Sequence, residues 1–345
     1  MEKVDVLAVV GSCPPERERS ARRLAETTGR MFVSSSRLAL SPDPVEEAIA
    51  LAPWCDRPAG VVFDIPGPVP MTDLIGALAD PDAPTRLIGV ICIADAAHLL
   101  EDLHRDGYLI RRSSPWQHPS MTQHTAHALL TVMQLEYAST IVLVNWESLP
   151  TDELSTLMAL VSSLSPLARL RLEHGQTESF HPRVPYTTGQ ERPGWVCLLN
   201  DRHEPHMTDR RVSAFRYENV RPLHPGRLHR LLDRRIERGE FGMVIRSTGF
   251  CRLATRPGII AQWDHVGRMI SFAPVGDDDD LGDDEELLAF GQDLAIIGLD
   301  LHREALSAAL DEAALSDAEL SAGPDSWARF ADPFPSWRAA PERSE

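Results

Sequence analysis

Lysine is almost absent from this chain of 345 residues, since Lys3 is the only one and every other permanently cationic side chain is arginine. A lysine that binds phosphate or a nucleotide base is therefore excluded at every position beyond residue 3. Cysteine is scarce as well, and the five cysteines are scattered without a CxxC pair. This spacing argues against a disulfide framework and a cysteine zinc cluster. Cys92 and Cys251 lie in apolar runs, where we expect them to fill the core.

Long apolar runs are also missing. No stretch approaches the length of a bilayer-spanning helix, and the N-terminus has neither a basic region nor a cleavage site, so we expect a cytoplasmic protein without a membrane partner. The formal net charge of −17 argues against a DNA partner and a chain-wide nucleic-acid footprint, while a local basic patch is compatible with it. The hydrophobic fraction of 43% and the length fit a globular protein of two domains.

Residues 4–23 predict a strand, a turn and a helix. An apolar run, Val4 to Val10, ends at Gly11, and a helical pattern starts at Glu16. A phosphate-binding loop, GxxxxGK[ST], has this outline and holds phosphate and Mg²⁺ with its lysine and hydroxyl. Counted from Gly11, this chain has Glu16, Arg17 and Glu18 at the second glycine, the lysine and the hydroxyl. A carboxylate beside a phosphate costs on the order of 4 kcal/mol, so we expect the shape without the chemistry. An ordinary strand-to-helix turn with acidic residues in the first helical turn explains the same residues.

Strands and helices alternate along the first half of the chain, which predicts an α/β fold with a doubly wound, mostly parallel sheet of the P-loop type. Ligands of such sheets bind at the carboxyl ends of the strands. The residues that follow the predicted strands there are Gly11, Asp64, Gly67, Asp95 and Asn145. We expect a helix N-cap role for Asp95. The pattern also predicts an irregular connection over residues 104–122, a long helix over 124–138 and another over 151–164.

Several segments resemble the CobW family of P-loop GTPases. Residues 134–145, QLEYASTIVLVN, are similar to the family's QxEFAD segment, apolar strand and NKxD motif. Residues 221–228, RPLHPGRL, and 247–256, STGFCRLATR, resemble the RPFHPxRL and RSKGxxWLA[TN]R segments of the CobW C-terminal domain. The tail of the chain is similar to actinobacterial members. The resemblance implies GTP with Mg²⁺, and zinc, as the ligands of the family.

The chain departs from the family at the nucleotide and metal sites. Ser148 replaces the aspartate that binds guanine, Trp146 replaces the lysine, and the interval of the family's GCxCC segment contains only Cys55. The residues themselves therefore predict no catalytic group and no cofactor. The positions that the resemblance assigns to a vestigial nucleotide site are Gly11, Arg17, Asp64, Gly67 and Asn145. A rigid turn between two prolines explains the DxxG motif that Asp64 and Gly67 form equally well.

The sequence predicts three regions. We expect a degenerate GTPase-like domain over residues 1–175, a linker over 176–209 and a smaller α+β CobW C-terminal domain over 210–345, with an acidic loop at 277–286. His203 and His206 in the linker are the candidates for a metal site, because the family often carries metal-binding histidines there. Their spacing matches no closed zinc site, so solvated histidines are the alternative.

An arginine-rich stretch opens the C-terminal domain. Residues 202–238 contain ten arginines against five acids. Arginine binds phosphate and stacks on bases, so the stretch is a candidate surface for RNA or the ribosome. Ion pairs along a helix face explain the same composition. The candidate partner-binding residues are Arg221, His224, Arg227, Arg230 and Arg234.

Two hypotheses follow. In the first, the protein is a pseudo-GTPase of the CobW family rather than an enzyme, retained as a binding or scaffold module linked to zinc homeostasis. The resemblance to actinobacterial members with eroded motifs implies a partner on the ribosome, or a translation or hibernation factor, under zinc limitation. In the second, the protein is an active GTP-binding zinc metallochaperone that uses Arg17 in place of the lysine.

Overall fold

The computed structural model describes residues 3–112, 122–174, 184–189, 191–277 and 291–337. The chain divides into two compact units, the first made of Met1–Cys197 with His203–Asp209 and the second of Leu198–Arg202 with Arg210–Glu345. Most described residues of the predicted linker therefore belong to the N-terminal unit. Within the described ranges, no helix is long and apolar enough to cross a membrane.

The N-terminal unit is built on a six-stranded parallel sheet with helices in the connections. Its elements are β1 (Val4–Val10), α1 (Pro14–Thr28), β2 (Met31–Val33), α2 (Ser35–Leu38), α3 (Pro44–Leu51), β3 (Val61–Asp64), α4 (Met71–Leu78), β4 (Thr85–Asp95), α5 (Leu99–His104), β5 (Tyr108–Arg112), β6 (Thr122–Ala126), α6 (His127–Glu136), β7 (Thr140–Val144), α7 (Thr151–Leu164), β8 (Arg169–Leu172) and, across the unit boundary, α8 (Gly194–Leu199). The strand order is β2-β3-β1-β4-β7-β8, and β5 with β6 forms a separate antiparallel hairpin. The predicted fold class is confirmed.

The central strands β1 and β4 are apolar along most of their length. All side chains from residue 6 to residue 10 are buried, as are most of those in β4, because helices cover both faces of a sheet of this type. In the register, Val9 pairs with Asp64, and Asp95 pairs with Val144. The carboxyl ends of β1, β3, β4 and β7 therefore meet at one edge of the sheet.

Three features of this unit differ from the sequence prediction. Helix α4 lies where no helix is predicted, directly after the proline-rich turn that follows β3. The predicted irregular connection at 104–122 contains β5 and the first residue of β6. Helix α6 begins at His127, three residues later than predicted, since residues 122–126 pair with β5.

The C-terminal unit contains a five-stranded antiparallel sheet and short helices, as the α+β prediction requires. Its elements are β9 (Val212–Asn219), α9 (Pro225–Leu231), β10 (Met243–Cys251), β11 (Ile259–Val266), β12 (Met269–Asp277), β13 (Gln292–Leu299), α10 (Arg303–Ala313), α11 (Asp317–Ala322) and α12 (Pro324–Trp327). A π-helical turn, Leu232–Ile236, continues α9. The strand order is β12-β11-β10-β13-β9, and Trp263 lies in the core with 1% exposure. The predicted acidic loop lies outside the described residues from position 278 onward.

Candidate functional site

The turn between β1 and α1 depends on Gly11. Its φ is +147°, and a Cβ atom there would lie 2.1 Å from the backbone oxygen of Ile93 in β4. Only glycine allows so close an approach between the two strands. Helix α1 begins at Pro14, two residues earlier than predicted. The chain therefore has the strand-turn-helix outline of a phosphate-binding loop.

The first turn of α1 offers few backbone donors to an anion. Phosphate-binding loops use the free N–H groups of a helix N-terminus. Here Pro14 and Pro15 have no N–H, and the Arg17 N–H donates to the Cys13 carbonyl at 3.0 Å. Of the residues in this turn, Glu16 is the one whose N–H could donate to an anion. Its own carboxylate, however, repels phosphate.

Arg17 and Asp64 form a buried ion pair at this point of the sheet. Arg17 Nε lies 2.5 Å from Asp64 Oδ1, and the two side chains are 3% and 0% exposed. Arg17 Nη1 also donates to the Gly11 carbonyl at 2.8 Å, and the backbone N–H of Ser35 donates to Asp64 Oδ2 at 3.2 Å. We call these four residues the Arg17 network. It joins the ends of β1 and β3 to the first turns of α1 and α2.

In the Arg17 network, the two side chains at the positions that would bind phosphate and Mg²⁺ are bonded to each other. The residue at the position of the phosphate-binding lysine binds a carboxylate of its own chain, and Asp64, at the position that faces Mg²⁺, binds a guanidinium. Removing one partner of a buried ion pair costs about 3–5 kcal/mol, so a ligand that separates this pair must offset a penalty of that order. Together with the missing N–H donors, this means that the residues present do not fit a nucleoside triphosphate with Mg²⁺.

Asn145 lies at the same edge, where its exposed side chain is hydrogen-bonded to another residue of the chain. It adopts a left-handed backbone conformation with φ of 55°, and its Nδ2 donates to Asp95 Oδ2 at 2.9 Å. Asp95 Oδ1 accepts the Ala97 N–H at 3.0 Å, which is a turn contact rather than the expected helix N-cap. Asp95 Oδ2 also lies 3.2 Å from His98 Nδ1, and this hydrogen bond raises the pKa of that imidazole. The Asp95–Asn145 contact links the ends of β4 and β7.

Trp146 and Ser148 also bind groups of their own chain. Trp146 Nε1 donates to the Glu173 carbonyl at 2.9 Å, and the Ser148 hydroxyl donates to the Asn145 carbonyl at 3.1 Å. A tryptophan directed at the end of β8 supplies neither the flexible stem nor the charge of a lysine. Ser148 has no carboxylate with which to accept the N–H groups of guanine.

Gly67 follows Asp64 in the loop after β3. Its carbonyl accepts a hydrogen bond from Gln134 Nε2 at 3.4 Å, and a Cβ atom at this position would meet nothing within 4 Å. The local packing therefore does not require glycine here, in contrast to Gly11.

The Cys13 thiol in this turn is buried and weakly acidic. Burial, together with Glu16 and Asp95, raises the pKa of Cys13 to about 12. The reactive thiolate is therefore scarce at neutral pH. Burial also raises the pKa values of Cys92 and Cys251, and both lie in the core as predicted.

The two candidate metal ligands are in different surroundings. His203 Nε2 lies 2.9 Å from the Ser163 carbonyl, to which it donates, and burial lowers the pKa of this imidazole. His206 is exposed. No group of three His, Cys, Asp or Glu side chains suited to a metal ion occurs within the ranges that the structure covers.

The five candidate residues of the arginine-rich stretch divide into three that are half-buried and bonded within the chain and two that are exposed. Arg221 pairs with Asp317 at 2.5 Å, Arg227 pairs with Glu319 at 2.7 Å, and the His224 Nδ1 accepts the Gly226 N–H at the start of α9. In contrast, Arg230 and Arg234 are exposed. Among the described residues, the one ion pair of Arg234 is a marginal contact of 4.0 Å with the adjacent Asp233. Two of the five candidate partner-binding residues are thus available to a partner.

Two parts of this arrangement are absent from the sequence-based prediction. The contribution of Ser35 comes from a backbone N–H, which leaves no trace in the sequence. The pairing of Arg17 with Asp64 has a possible signal, namely opposite charges that follow the ends of neighbouring strands.

Comparisons with known proteins agree with the predicted resemblance. Residues 212–314 match the family model of the cobalamin synthesis protein cobW C-terminal domain. The zinc-regulated GTPase metalloprotein activator 1 of Dictyostelium discoideum is 25% identical over 280 residues, which are 72% of this chain and 56% of that protein. These matches support a relationship to the CobW-like P-loop GTPases.

Solved structures were compared as well. The Zn(II)-bound YjiA GTPase from E. coli is 14% identical to this chain, with a TM-score of 0.35 over 91% of this chain and 100% of that one. A Zn(II)-bound triple mutant of YjiA, also 14% identical, has a TM-score of 0.38 with the same coverage.

Proposed function

We propose that this protein is a CobW-like binding protein that neither binds nor hydrolyses nucleotide. The observation that supports this proposal is the Arg17 network, in which the side chains at the lysine and Mg²⁺ positions neutralise each other in a buried pair. Pro14 and Pro15 also disfavour phosphate binding, because proline has no N–H and two of the N–H groups that would hold phosphate are therefore missing.

The hydrogen bonds of the Arg17 network join the loops after β1 and β3, which a bound ligand would otherwise join. Arg17 reaches Asp64 and Gly11, and Asp64 reaches the start of α2. The loops are then held in one arrangement without a ligand. Such an N-terminal unit suits a scaffold that presents a fixed surface rather than a switch that responds to nucleotide.

Zinc homeostasis is the process we propose for this scaffold, supported by the name of the Dictyostelium relative. The chain spans 56% of the length of that relative, so the link concerns the shared region. The proposed partner is the ribosome or a translation factor, approached through the exposed Arg230 and Arg234. Exposed arginines suit phosphate, and two of them on a chain of net charge −17 form a local rather than a general anion surface.

Equilibrium binding of fluorescently labelled GTP, GDP and ATP in the presence of Mg²⁺ tests the central part of the proposal. We expect no saturable binding up to millimolar nucleotide. As a matched comparison, the triple variant Glu16→Gly/Arg17→Lys/Glu18→Thr completes the GxxxxGK[ST] pattern while keeping Pro14 and Pro15. Micromolar binding by the unmodified chain that weakens in Asp64→Asn would refute the proposal.

A working GTP-binding zinc metallochaperone is the second candidate, and the name of the Dictyostelium relative favours it. It requires Arg17 to leave Asp64 and turn toward phosphate, with Mg²⁺ replacing the guanidinium on the carboxylate. The same binding experiment distinguishes the two candidates, because only this one predicts nucleotide affinity that depends on Asp64.

Co-sedimentation with ribosomal subunits from zinc-starved cells tests the partner. The variant Arg230→Glu/Arg234→Glu should lose most of the pelleted protein. Arg227 is left unchanged, since it forms an ion pair with Glu319 of the same chain. The variant Arg19→Glu/Arg57→Glu makes the same change of charge at exposed positions of the N-terminal unit and should pellet normally. Absence of pelleting by the unmodified chain at low salt would remove the ribosomal partner.

A further inference from the structure

Residues 315–337 follow the matched domain, whose model ends at residue 314. They contain α11 and α12 and then continue to Trp337 without further regular structure. We call this segment the tail. Its side chains contact the rest of the C-terminal unit at two clusters of residues, one near α9 and one on the β10–β12 part of the sheet.

The first cluster joins acidic and aromatic residues of the tail to the start of α9. Glu319 accepts two hydrogen bonds from Arg227, at 2.7 and 2.8 Å, and this contact lowers the pKa of the Glu319 carboxyl to about 2. The ring of Phe330 stacks on His224 with a centroid distance of 4.4 Å. The tail thus binds an arginine and a histidine that the sequence predicted to face a partner.

The second cluster lies next to the sheet. Asp332 Oδ2 accepts hydrogen bonds from the Thr255 hydroxyl at 2.6 Å and from Arg256 Nε at 3.0 Å. The Arg256 guanidinium lies 4.1 Å from the centre of the Trp337 ring, and Trp337 Nε1 donates to the Phe272 carbonyl at 3.0 Å. These are the charge-assisted and cation–π contacts by which short peptides are commonly held.

The Phe334 side chain completes this cluster. Its ring packs edge-on against Phe272 with centroids 4.8 Å apart. Arg256 Nη2 also donates to the backbone carbonyls of Phe334 and Pro335. One arginine therefore binds a carboxylate, an aromatic ring and two carbonyls of the same short segment.

The tail is bound less deeply than the rest of the unit. Leu315 is 1% exposed and belongs to the core, whereas every residue from 316 to 337 is half-buried or exposed. Phe334 and Trp337 pack on the core from outside as partly buried residues. Segments with few buried apolar groups open at lower free energy than the unit that carries them.

We call the surface that the tail covers, formed by His224, Arg227, Thr255, Arg256 and Phe272, the groove, and it also has donors that the tail does not use. Arg227 Nε and Arg256 Nη1 are buried and have no hydrogen-bond partner among the described residues. A buried donor without a partner costs about 1–3 kcal/mol. A ligand with an additional acceptor at either position would therefore bind this groove better than the tail does.

We propose that the groove formed by His224, Arg227, Thr255, Arg256 and Phe272 is an exchangeable peptide-binding site, which the tail of the same chain occupies until a partner replaces it. The partner that fits is a protein segment with the chemistry of the tail: a carboxylate followed by aromatic residues two and five positions later, as in Asp332, Phe334 and Trp337. Arginine on the groove supplies the charge, and the half-buried Phe272 supplies the apolar surface.

The test uses the full chain with its own tail disabled by Asp332→Ala/Phe334→Ala/Trp337→Ala. A fluorescent peptide of residues 315–337 should bind this variant at least about tenfold more tightly than it binds the unmodified chain, because the attached tail competes at high effective concentration. Adding Arg256→Ala to the disabled variant should abolish the binding. A peptide of the same composition in scrambled order is the control.

Equal affinity for the scrambled peptide, or no binding by the disabled variant, would overturn the proposal. So would a concentration-dependent dimer of the unmodified chain that the tail variant loses, since a second copy would then be the occupant. Amide exchange in the unmodified chain provides a test that does not depend on the folding of any variant. Exchange across 316–337 should be at least about tenfold faster than in β10. Equal rates would mean that the tail opens only when the whole unit unfolds, which would also overturn the proposal.

Discussion

Replacement of Arg17 by methionine removes the cation from the buried carboxylate of Asp64. The Ser35 N–H still contacts Asp64 Oδ2, but no other charge of opposite sign is paired with this carboxylate in the described structure. Methionine keeps much of the length of the arginine side chain, so the change mainly tests the ion pair rather than a cavity. We expect the N-terminal unit to lose about 3–5 kcal/mol of unfolding free energy, as for other buried pairs that lose one partner.

A double-mutant cycle isolates the pair. Arg17→Met/Asp64→Leu removes both charges, and apolar replacement of a whole buried ion pair is often neutral or stabilising. The double variant should therefore be more stable than Arg17→Met alone. The interaction free energy between Arg17 and Asp64 that the cycle gives should lie within about 0.5–3 kcal/mol. An exposed pair would instead contribute only about 0.2–1 kcal/mol.

Native-state amide exchange is the appropriate assay, since two units make global unfolding a poor two-state transition. Amides of β1 and β3 should exchange roughly a hundredfold to a few thousandfold faster in Arg17→Met, because each 1.4 kcal/mol is a factor of ten. Amides of β10 in the other unit serve as the internal control and should not change. A loss below about 1 kcal/mol at β1 and β3 would refute the account of Arg17 as one half of a buried pair.

Three further predictions concern single residues. Gly11→Ala would place a Cβ atom 2.1 Å from a backbone oxygen of β4, so the free energy of opening measured by amide exchange in β1 should fall by several kcal/mol. Gly67→Ala, where a Cβ atom meets nothing within 4 Å, should change this free energy little. Among the thiols, half-buried Cys55 should react first with a disulfide reagent, and Cys13 should react only after unfolding because burial raises its pKa to about 12. Burial lowers the pKa of His203 below its ordinary value of 6.5 in the folded state. Its contribution to stability is therefore present above pH 6.5 and is lost as the pH falls. When the unfolding free energy is measured against pH, His203→Gln should lose less stability than the unmodified chain on the acid side.

The alternation of apolar runs and helical segments was enough to predict the parallel sheet and the second α+β unit. Helix α7 agrees with the predicted 151–164 because its fourteen residues give a clear period. Helix α4 follows directly on a proline-rich turn, and the β5–β6 hairpin falls in the segment predicted to be irregular, so the sequence pattern predicts neither.

The candidate site was predictable in its position but not in its contacts. Strand ends identified Gly11, Asp64 and Asn145, because parallel strands bring their carboxyl ends to one edge. The partner of Arg227 is Glu319, 92 residues away, and no local pattern indicates such a pair. The sequence therefore predicts either a partner-binding surface or ion pairs along a helix face for the arginine-rich stretch, whereas in the structure part of the stretch binds the tail.

The Nε–H resonance of Arg17 in an NMR spectrum tests the central claim most directly, namely that this guanidinium is bound to Asp64 and not available to a nucleotide. We predict a slowly exchanging resonance that is absent or strongly shifted in Asp64→Asn and that does not move when GTP and Mg²⁺ are added to millimolar concentration. A saturable shift of this resonance on addition of GTP with Mg²⁺ would contradict the account, because it would show that the pair opens to admit nucleotide.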